Sequence, residues 1–238
     1  MRYREITQDK FEELKKFDTP TISNVVATYP GRDYCMGLYN PWETNWYTDE
    51  TCRCLFPKLG SYVGYAVTAV YGIPDSFHKL GVVDVLRAVA DSPKPVIMVA
   101  QHKMPEKFRV KNALIGGNFT TALKRAGCIG FISNGPARDI SEVEAIGGFH
   151  LLLTGVTAGH GDQAVYAVNV PVSVCSMDVV PGELIHMDEH GAVKFPVDKV
   201  DEIIERAYRL VEIEKRQMEE MRRVASSDEL ISLWASKK

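Results

Sequence analysis

The sequence predicts a mixed α/β fold in which parallel β-α-β units are joined to an antiparallel portion and followed by a long C-terminal helix. Two patterns predict this. Between residues 96 and 153, short apolar stretches alternate with segments of helical periodicity, as in parallel crossover units. After Gly155 the strand-like stretches follow one another without helices, and residues 198–224 carry an apolar stripe at helical spacing.

The N-terminal part is predicted to contain two helices and a long loop. Residues 5–17 place apolar side chains at three-residue intervals among charges, which indicates an amphipathic helix. Thr19 followed by Pro20 is typical of a cap with proline in the first turn, so we predict a second helix over residues 20–28. Residues 29–58 are rich in proline, glycine and aromatics without periodicity, which predicts the loop.

The central and C-terminal parts supply the sheet and its covering helices. We predict strands at 63–71, 96–100, 129–133, 150–153, 164–174, 183–187 and 192–195, and helices at 79–91, 117–126, 141–146 and 198–224. Ser226 and Glu229 form a capping box for a last short helix, whose apolar side chains dock either on the chain's own core or on a neighbouring subunit. We therefore expect one domain over residues 1–238 with a helical extension at 198–236.

Composition excludes several classes of protein. With 238 residues, of which 45% are hydrophobic and 25% charged, the chain can bury an ordinary globular core. The net charge of -3 leaves no basic stripe for a nucleic acid. No apolar run approaches the roughly 18 to 20 residues of a membrane helix, and the N-terminus lacks the apolar stretch of a signal peptide, so we expect a cytoplasmic protein.

The five cysteines do not suggest a disulfide framework, since their number is odd and the chain is long. We predict that Cys35, Cys128 and Cys175 are reduced and buried. Cys52 and Cys54 could offer two thiolates to a metal, but no second Cys/His pair stands at the spacing of a structural zinc site. The alternative, two cysteines on a loop, is favoured.

Gly116 and Gly117 stand where a loop becomes a predicted helix. Unhindered backbone N–H groups and the positive end of the helix dipole favour a carboxylate or a phosphate at such a place. The alternative is that the two glycines only let the helix and a strand approach closely.

Arg138 and Asp139 follow the predicted strand at 129–133, at the carboxyl end where α/β proteins usually bind ligands. Arginine presents a planar fork to a carboxylate, and aspartate is a hard oxygen ligand for Mg²⁺ or Mn²⁺. The alternative is structural: Asp139 and Glu142 have the spacing of a capping box for the next helix.

The order of these motifs resembles a known family. Gly116 is followed by the Arg138-Asp139 pair within A-x-x-G…A-x-x-x-G-x-x-G…N-G-x-x-R-D, which is similar to the 4-hydroxy-4-methyl-2-oxoglutarate aldolases and the regulator of ribonuclease E activity A. The flanking segments at 19–24, 64–68 and 180–196 match as well, so the resemblance covers residues 17–216.

The resemblance implies a swivelling α-β-β-α sandwich that assembles as a homotrimer or homohexamer. Its aldolases use a divalent metal to cleave or decarboxylate 2-oxo acids and release pyruvate. Carried over by position, Arg138 holds the pyruvyl carboxylate and the enolate oxygen, and Asp139 holds Mg²⁺ or Mn²⁺ directly or through water. The backbone N–H groups of Gly117 and Asn118 cradle the carboxylate.

Gly117 departs from the family pattern, which has an acidic residue there to position the water that carries protons. Asn118 is adjacent but points elsewhere and is no base near neutral pH. His160, on a glycine-flanked loop, is the predicted substitute, and the alternative is a loop histidine exposed to water. His102, Lys103 and Lys111 could add positive charge for a second carboxylate.

The sequence thus predicts a metal-dependent lyase, an aldolase or decarboxylase, whose substrate is a small 2-oxo or hydroxy-polycarboxylic acid. The replacement of the acid by Gly117 alters its proton chemistry. A non-catalytic regulator that binds another protein is the main alternative. A metabolite-binding protein or an enzyme of unrelated reaction is the third.

Overall fold

The computed structural model describes residues 6–43 and 45–235. Residue 5, where we predict the first helix to begin, and residue 236, where we predict the extension to end, lie outside the described residues. Within the described ranges, no helix is both long and apolar enough to cross a membrane.

The predicted helices and strands are present in the predicted order, and the helix Glu106–Arg109 and the strands Arg53–Cys54 and Met177–Val179 are additional elements. The α-helices are α1 (Gln8–Leu14), α2 (Thr19–Ser23), α3 (Val82–Asp91), α4 (Glu106–Arg109), α5 (Gly117–Arg125), α6 (Ile140–Ile146), α7 (Val200–Arg223) and α8 (Ser227–Ala235). The strands are β1 (Arg53–Cys54), β2 (Tyr62–Gly72), β3 (Val96–Lys103), β4 (Cys128–Ser133), β5 (His150–Leu153), β6 (Ala164–Val168), β7 (Val172–Val174), β8 (Met177–Val179), β9 (Leu184–Asp188) and β10 (Gly191–Phe195).

One mixed sheet organises the chain. Its strands follow the order β1-β5-β4-β3-β2-β9-β10, and β6 pairs with β2. Strands β2, β3, β4 and β5 are parallel to one another, whereas β1, β6, β9 and β10 pair antiparallel with their neighbours. The predicted mixed α/β class, with parallel units, an antiparallel portion and a long C-terminal helix, is confirmed.

The sheet is buried on both faces, as its nearly continuous apolar strands require. One face packs against α3, α5 and α6 in a cluster that includes Val85, Leu123, Phe131 and Val143. The other face is covered by the separate β7–β8 hairpin. A third cluster joins α1, α2 and α7 to β9 and β10 around the buried Trp46.

The second helix begins one residue earlier than predicted, because its cap is Asp18 and not Thr19. The Asp18 side chain accepts a hydrogen bond of 2.8 Å from the Thr21 N–H, and Pro20 lies in the first turn. The helix then continues as a π-helical turn over Asn24–Thr28. The predicted loop at 29–58 contains two short elements, β1 and a 3₁₀ turn at Pro57–Leu59.

The single strand predicted at 164–174 is two strands, β6 and β7. Asn169, between them, has a φ of 53°, which interrupts an extended backbone. The β7–β8 hairpin, absent from our prediction, turns at Cys175 and Ser176, which both have positive φ values. Two successive positive φ values are what a tight hairpin turn demands, but here no glycine marks it.

The C-terminal extension is buried only in its first half. Val200, Ile203, Ala207 and Leu210 of α7 are in the core. Three apolar side chains of α8, Leu230, Ile231 and Trp234, are exposed, and no residue of α8 is buried, so α8 does not dock on the core of this chain. Its predicted cap is present, since the Glu229 N–H donates to Ser226 Oγ at 3.2 Å.

Candidate functional site

The Arg138-Asp139 pair is fixed at the carboxyl edge of the sheet by the backbone on both sides. Ala137 forms parallel bridges to Ile115 on one side and to Val156 on the other. The Ala137 N–H donates to the Gly155 carbonyl at 2.9 Å, and the Arg138 N–H donates to the Ile115 carbonyl at 3.0 Å. The parallel pattern of the sheet therefore continues beyond β4 up to this pair.

Asp139 directs its carboxylate at the beginning of α5. Its backbone is in the left-handed region, with φ 55° and ψ 39°, a conformation that costs an ordinary residue about 1 kcal/mol but that aspartate tolerates. The Gly117 N–H donates to Asp139 Oδ2 at 3.3 Å. A Cβ on Gly116 would overlap the same oxygen, so this glycine makes room for the carboxylate.

The predicted capping box of Asp139 and Glu142 is wrong. The Asp139 side chain makes no cap hydrogen bond to α6, because its left-handed backbone turns the carboxylate towards α5 instead. Among the described residues, the Glu142 carboxylate accepts no hydrogen bond. It lies against Gly117, where an added Cβ would overlap Glu142 Oε2 and stand 3.3 Å from Glu142 Cβ.

Arg138 and Asp139 form a partly exposed ion pair. Arg138 Nε lies 3.3 Å from Asp139 Oδ2, and the two side chains are 36% and 32% exposed. A pair as open to water as this contributes little to folding stability. Its charges remain available to a ligand.

A cavity of about 540 Å³ brings the pair together with other predicted site residues. Its wall includes the start of α5, the start of α3 and the loop that carries His160. Those of its lining residues that bear on the chemistry are Tyr71, Gly116, Asn118, Arg138, Asp139 and His160. Gly117 is buried behind this wall, between its lining neighbours Gly116 and Asn118. Gly116, Asn118, Arg138, Asp139 and His160 thus all line one cavity.

Tyr71 is a lining residue that sequence reasoning missed. Its side chain is 4% exposed, and its hydroxyl has no hydrogen-bond partner among the described residues. Burial raises the pKa of this hydroxyl, which stays protonated and can donate to a ligand. A tyrosine at the end of an apolar strand gave no sequence signal for this role.

His160 lies on an exposed loop at the cavity wall. Its Nδ1 is 3.3 Å from the carbonyl oxygen of Gly161. Asn112 holds the loop, since the Gly161 N–H donates to Asn112 Oδ1 at 2.7 Å. The position of His160 is compatible with the predicted proton relay, which stays a prediction.

The expectation that His102 adds positive charge to the site is wrong, and the same expectation for Lys103 and Lys111 stays a prediction. None of the three lines the cavity. His102 is 1% exposed, and both ring nitrogens lack partners among the described residues. Burial, followed by the nearby positive charge of Arg109, lowers the pKa of His102 to about 4, so the ring is neutral near pH 7.

A larger cavity, of about 720 Å³, lies beside α2 and the turn between β9 and β10. Its described lining is mainly aromatic and hydroxylic, with Arg32 and His190, and it includes no carboxylate. The smaller cavity is the better candidate for chemistry on an anion, because an arginine, a carboxylate and a helix N-terminus meet there.

Asp139 is suited to a hard cation with few protein ligands. No group of three His, Cys, Asp or Glu side chains among the described residues could hold a metal. Mg²⁺ does not need one, because it commonly keeps several waters and binds through one or two carboxylates and the oxygens of a substrate. Asp139 Oδ1 accepts no hydrogen bond from the described residues, so the donor chemistry fits Mg²⁺ or Mn²⁺.

The cysteines do not offer a competing metal site. Cys54 Sγ lies 3.9 Å from His150 Nδ1, but burial raises the pKa of the Cys54 thiol and lowers the pKa of His150. The thiolate that zinc requires is disfavoured there. All five cysteines are free, and Cys35, Cys128 and Cys175 are buried as predicted.

Comparison with protein families gives a match over residues 42–194 to the family model described as RraA-like, Aldolase/RraA. A 4-hydroxy-4-methyl-2-oxoglutarate aldolase of Thermus thermophilus is 28% identical over 87 residues, which cover 37% of this chain and 53% of that enzyme. The chain thus spans about half the length of such curated relatives.

Two crystal structures have the same fold. An uncharacterised protein from Pseudomonas syringae pv. tomato DC3000 superposes with a TM-score of 0.70 over 99% of this chain and 97% of its own, at 22% identity. RraAS2 from Streptomyces coelicolor, described as an unusual member of the RNase ES inhibitor RraA family, superposes with a TM-score of 0.68 over 91% of this chain and 99% of its own, at 18% identity. At these identities the likeness shows the fold alone.

Proposed function

Because this chain belongs to the RraA-like family of aldolase and RraA proteins, we propose that it is a metal-dependent carbon–carbon lyase. Its substrate would be a small 2-oxo or hydroxy-polycarboxylic acid, and pyruvate would be a product. The observation that carries the proposal is the convergence of Arg138, Asp139 and the start of α5 in one cavity.

Arg138 is the proposed carboxylate-binding residue. Its guanidinium is partly exposed at the cavity wall and donates no hydrogen bond to the described residues, so its planar fork is free for a bidentate contact. The Asn118 N–H, in the first turn of α5, adds a donor at the positive end of a helix, whereas the Gly117 N–H already donates to Asp139 Oδ2. Together they would hold and orient the substrate carboxylate.

Asp139 is the proposed holder of Mg²⁺ or Mn²⁺, directly or through a water. When bound, such a metal supplies the positive charge that polarises a 2-oxo group. Arg138, 3.3 Å from Asp139 Oδ2, adds a second positive charge for the oxygen on which negative charge develops as a carbon–carbon bond breaks. His160, which lines the same cavity, is one candidate for proton transfer.

We propose a homotrimer or homohexamer as the working assembly and one domain as its unit. The exposed apolar side chains of α8 support association, because isolated soluble chains rarely leave such a group uncovered. The alternative function, a non-catalytic regulator that binds another protein, is supported by Gly117, since the family's acid is missing there.

The test is a pyruvate assay coupled to lactate dehydrogenase, with oxaloacetate and 4-hydroxy-2-oxo acids as substrates and with Mg²⁺, Mn²⁺ or chelator. We expect metal-dependent release of pyruvate. The matched variant is Asp139→Asn, because asparagine tolerates the same left-handed backbone. It should weaken Mn²⁺ binding, measured by electron paramagnetic resonance, as well as turnover.

Two results would count against the lyase. One is the absence of pyruvate from every substrate of the panel, and the other is Mn²⁺ binding that Asp139→Asn leaves unchanged. Binding and inhibition of ribonuclease E by an inactive protein would favour the regulator instead.

A further inference from the structure

We propose that Glu142 is the proton-transfer group of this cavity, a carboxylate that α6 places at the start of α5. The inference rests on the proposed function, because it assigns a role in the same site. It assigns that role to a residue that lies next to Gly117 in space although it is distant in the chain.

The position of Glu142 is defined by Gly117. A Cβ added to Gly117 would overlap Glu142 Oε2 and lie 3.4 Å from its carboxyl carbon. The carboxylate of Glu142 therefore occupies the space that a side chain at position 117 would enter. Gly117 has no positive φ that would call for glycine, and the atom that an added Cβ would meet first is Glu142 Oε2.

The Glu142 carboxylate is not engaged elsewhere in the described chain. It accepts no hydrogen bond and forms no ion pair there, and the capping role that its sequence position suggested is not used. The side chain is exposed, so it can exchange protons with water. It does not itself line the cavity, but it shares a neighbour with Asp139. The Gly117 N–H donates to Asp139 Oδ2 at 3.3 Å, and the Glu142 carboxylate lies against the same Gly117.

The other titratable groups at the cavity are less suited to move a proton. Asp139 Oδ2 is held by the Gly117 N–H and by Arg138, and its carboxylate is the proposed metal ligand. Burial raises the pKa of Tyr71, which disfavours it as a base. His160 and Asp162 are on the exposed loop at the cavity wall, and His160 contacts the Gly161 carbonyl.

The proton returns to carbon within one turnover. For a 4-hydroxy-2-oxo acid, the Glu142 carboxylate takes the proton of the 4-hydroxyl. The C3–C4 bond breaks, C4 becomes a carbonyl, and the bonding electron pair forms the enolate of pyruvate. Glu142 then gives the same proton to C3, the 2-oxo group forms again, and no oxidant or reductant is needed.

The experiment isolates the last step of this reaction, the transfer of a proton to and from C3 of pyruvate. In D₂O with Mg²⁺, exchange of the pyruvate methyl protons is measured by NMR. We expect Glu142→Gln to slow exchange by about 100-fold, the lower end for loss of a general base. The matched control is Glu144→Gln, an exposed glutamate of the same helix, which should stay within about twofold of the unaltered protein.

A second pair of variants tests the shared space. Gly117→Asp alone should crowd Glu142 and lower Tm by about 3 °C, whereas the same change combined with Glu142→Ala should lower it less. This melting measurement needs neither metal nor substrate. The double variant should also recover exchange to within about tenfold of the unaltered protein, because it puts one carboxylate back in the same place.

The outcomes separate this proposal from the proposed function. Exchange that Glu142→Gln leaves intact overturns the role of Glu142, and loss of exchange in His160→Ala alone gives the role to His160. No exchange in the unaltered protein also overturns it, while pyruvate release can still uphold the lyase. Exchange that depends on Glu142, without pyruvate release from any tested acid, supports Glu142 and removes the lyase.

Discussion

Two neighbouring strands of the sheet end in opposite environments. At the end of β3, His102 is buried, neutral and without a partner for its ring among the described residues. Beyond β4, Arg138 and Asp139 are partly exposed at a cavity. Asn134 links the two ends, since its Oδ1 accepts from the His102 N–H at 2.7 Å. Polar residues at adjacent strand ends therefore need not belong to one ligand site.

The largest effect on turnover should come from Arg138, in the exposed pair beyond β4. Arg138→Ala removes the proposed carboxylate fork, and we expect turnover to pyruvate to fall by about 10²- to 10³-fold, as for loss of a charged donor to a developing anion. Arg138→Lys keeps the charge but not the fork and should be intermediate. The coupled assay measures both. Equal activities of Arg138→Ala and the surface control Arg125→Ala would remove Arg138 from the site.

The second-largest effect should come from filling the space that Gly116 leaves beside the Asp139 carboxylate. Gly116→Ala places a Cβ against Asp139 Oδ2, so the carboxylate must shift. We expect turnover to fall by about 10- to 100-fold, since small misplacements at a reacting centre are costly. Mn²⁺ affinity, measured by paramagnetic resonance, should fall with it. An unchanged affinity would mean that the carboxylate position is not what binds the metal.

His102, at the buried end of β3, should affect the pH dependence of the free energy of unfolding and not the turnover. His102 has a pKa near 4 in the folded protein and near 6.5 when unfolded, so the unfolded state binds more protons between these values. Its contribution is complete above about pH 6.5 and is lost as the pH falls towards 4. Between pH 7 and pH 5 the loss is about 2 kcal/mol.

The variant that tests this is His102→Leu, compared with the unaltered protein by urea unfolding at both pH values. The variant should lose about 2 kcal/mol less between them. It should still lose some stability, because burial lowers the pKa of His150 and His186 as well. Equal losses in the two proteins would mean that His102 is not protonated on unfolding in this range.

The smallest effect concerns Tyr71, which is buried like His102 but lines the cavity like Arg138. Tyr71→Phe removes a hydroxyl without a partner among the described residues, so we expect the ligand-free protein to gain about 1 kcal/mol. Unfolding in urea measures the change. A loss of stability would show that the hydroxyl is hydrogen-bonded by water.

The sheet was predictable because β3, β4 and β5 are short apolar runs bounded by helices, and burial on both faces requires such runs. The β7–β8 hairpin was missed because Cys175 and Ser176 adopt positive φ values without a glycine. The cap of α2 was misplaced by one residue because Asp18 and Thr19 are both good capping residues.

The part of the site that depends on residue type and on position after a strand was predictable from the sequence. Arg138 and Asp139 follow a parallel strand, and that alone places them at the right edge. Glu142 was assigned to a cap because its spacing from Asp139 fits one, and the left-handed backbone of Asp139 is not visible in the sequence. Glu142 contacts Gly117 across two helices, α6 and α5. The periodicity of a sequence does not predict contacts between separate helices.

The bridges of Ala137 link ligand binding to folding. Arg138 takes its place only when Ile115 and Gly155, from two other parts of the chain, accept their hydrogen bonds. A partly folded chain therefore has no binding site, and a ligand that binds only the complete edge raises the melting temperature as its concentration rises. Thermal shift with small carboxylates thus offers a way to search for the natural ligand without knowing the reaction.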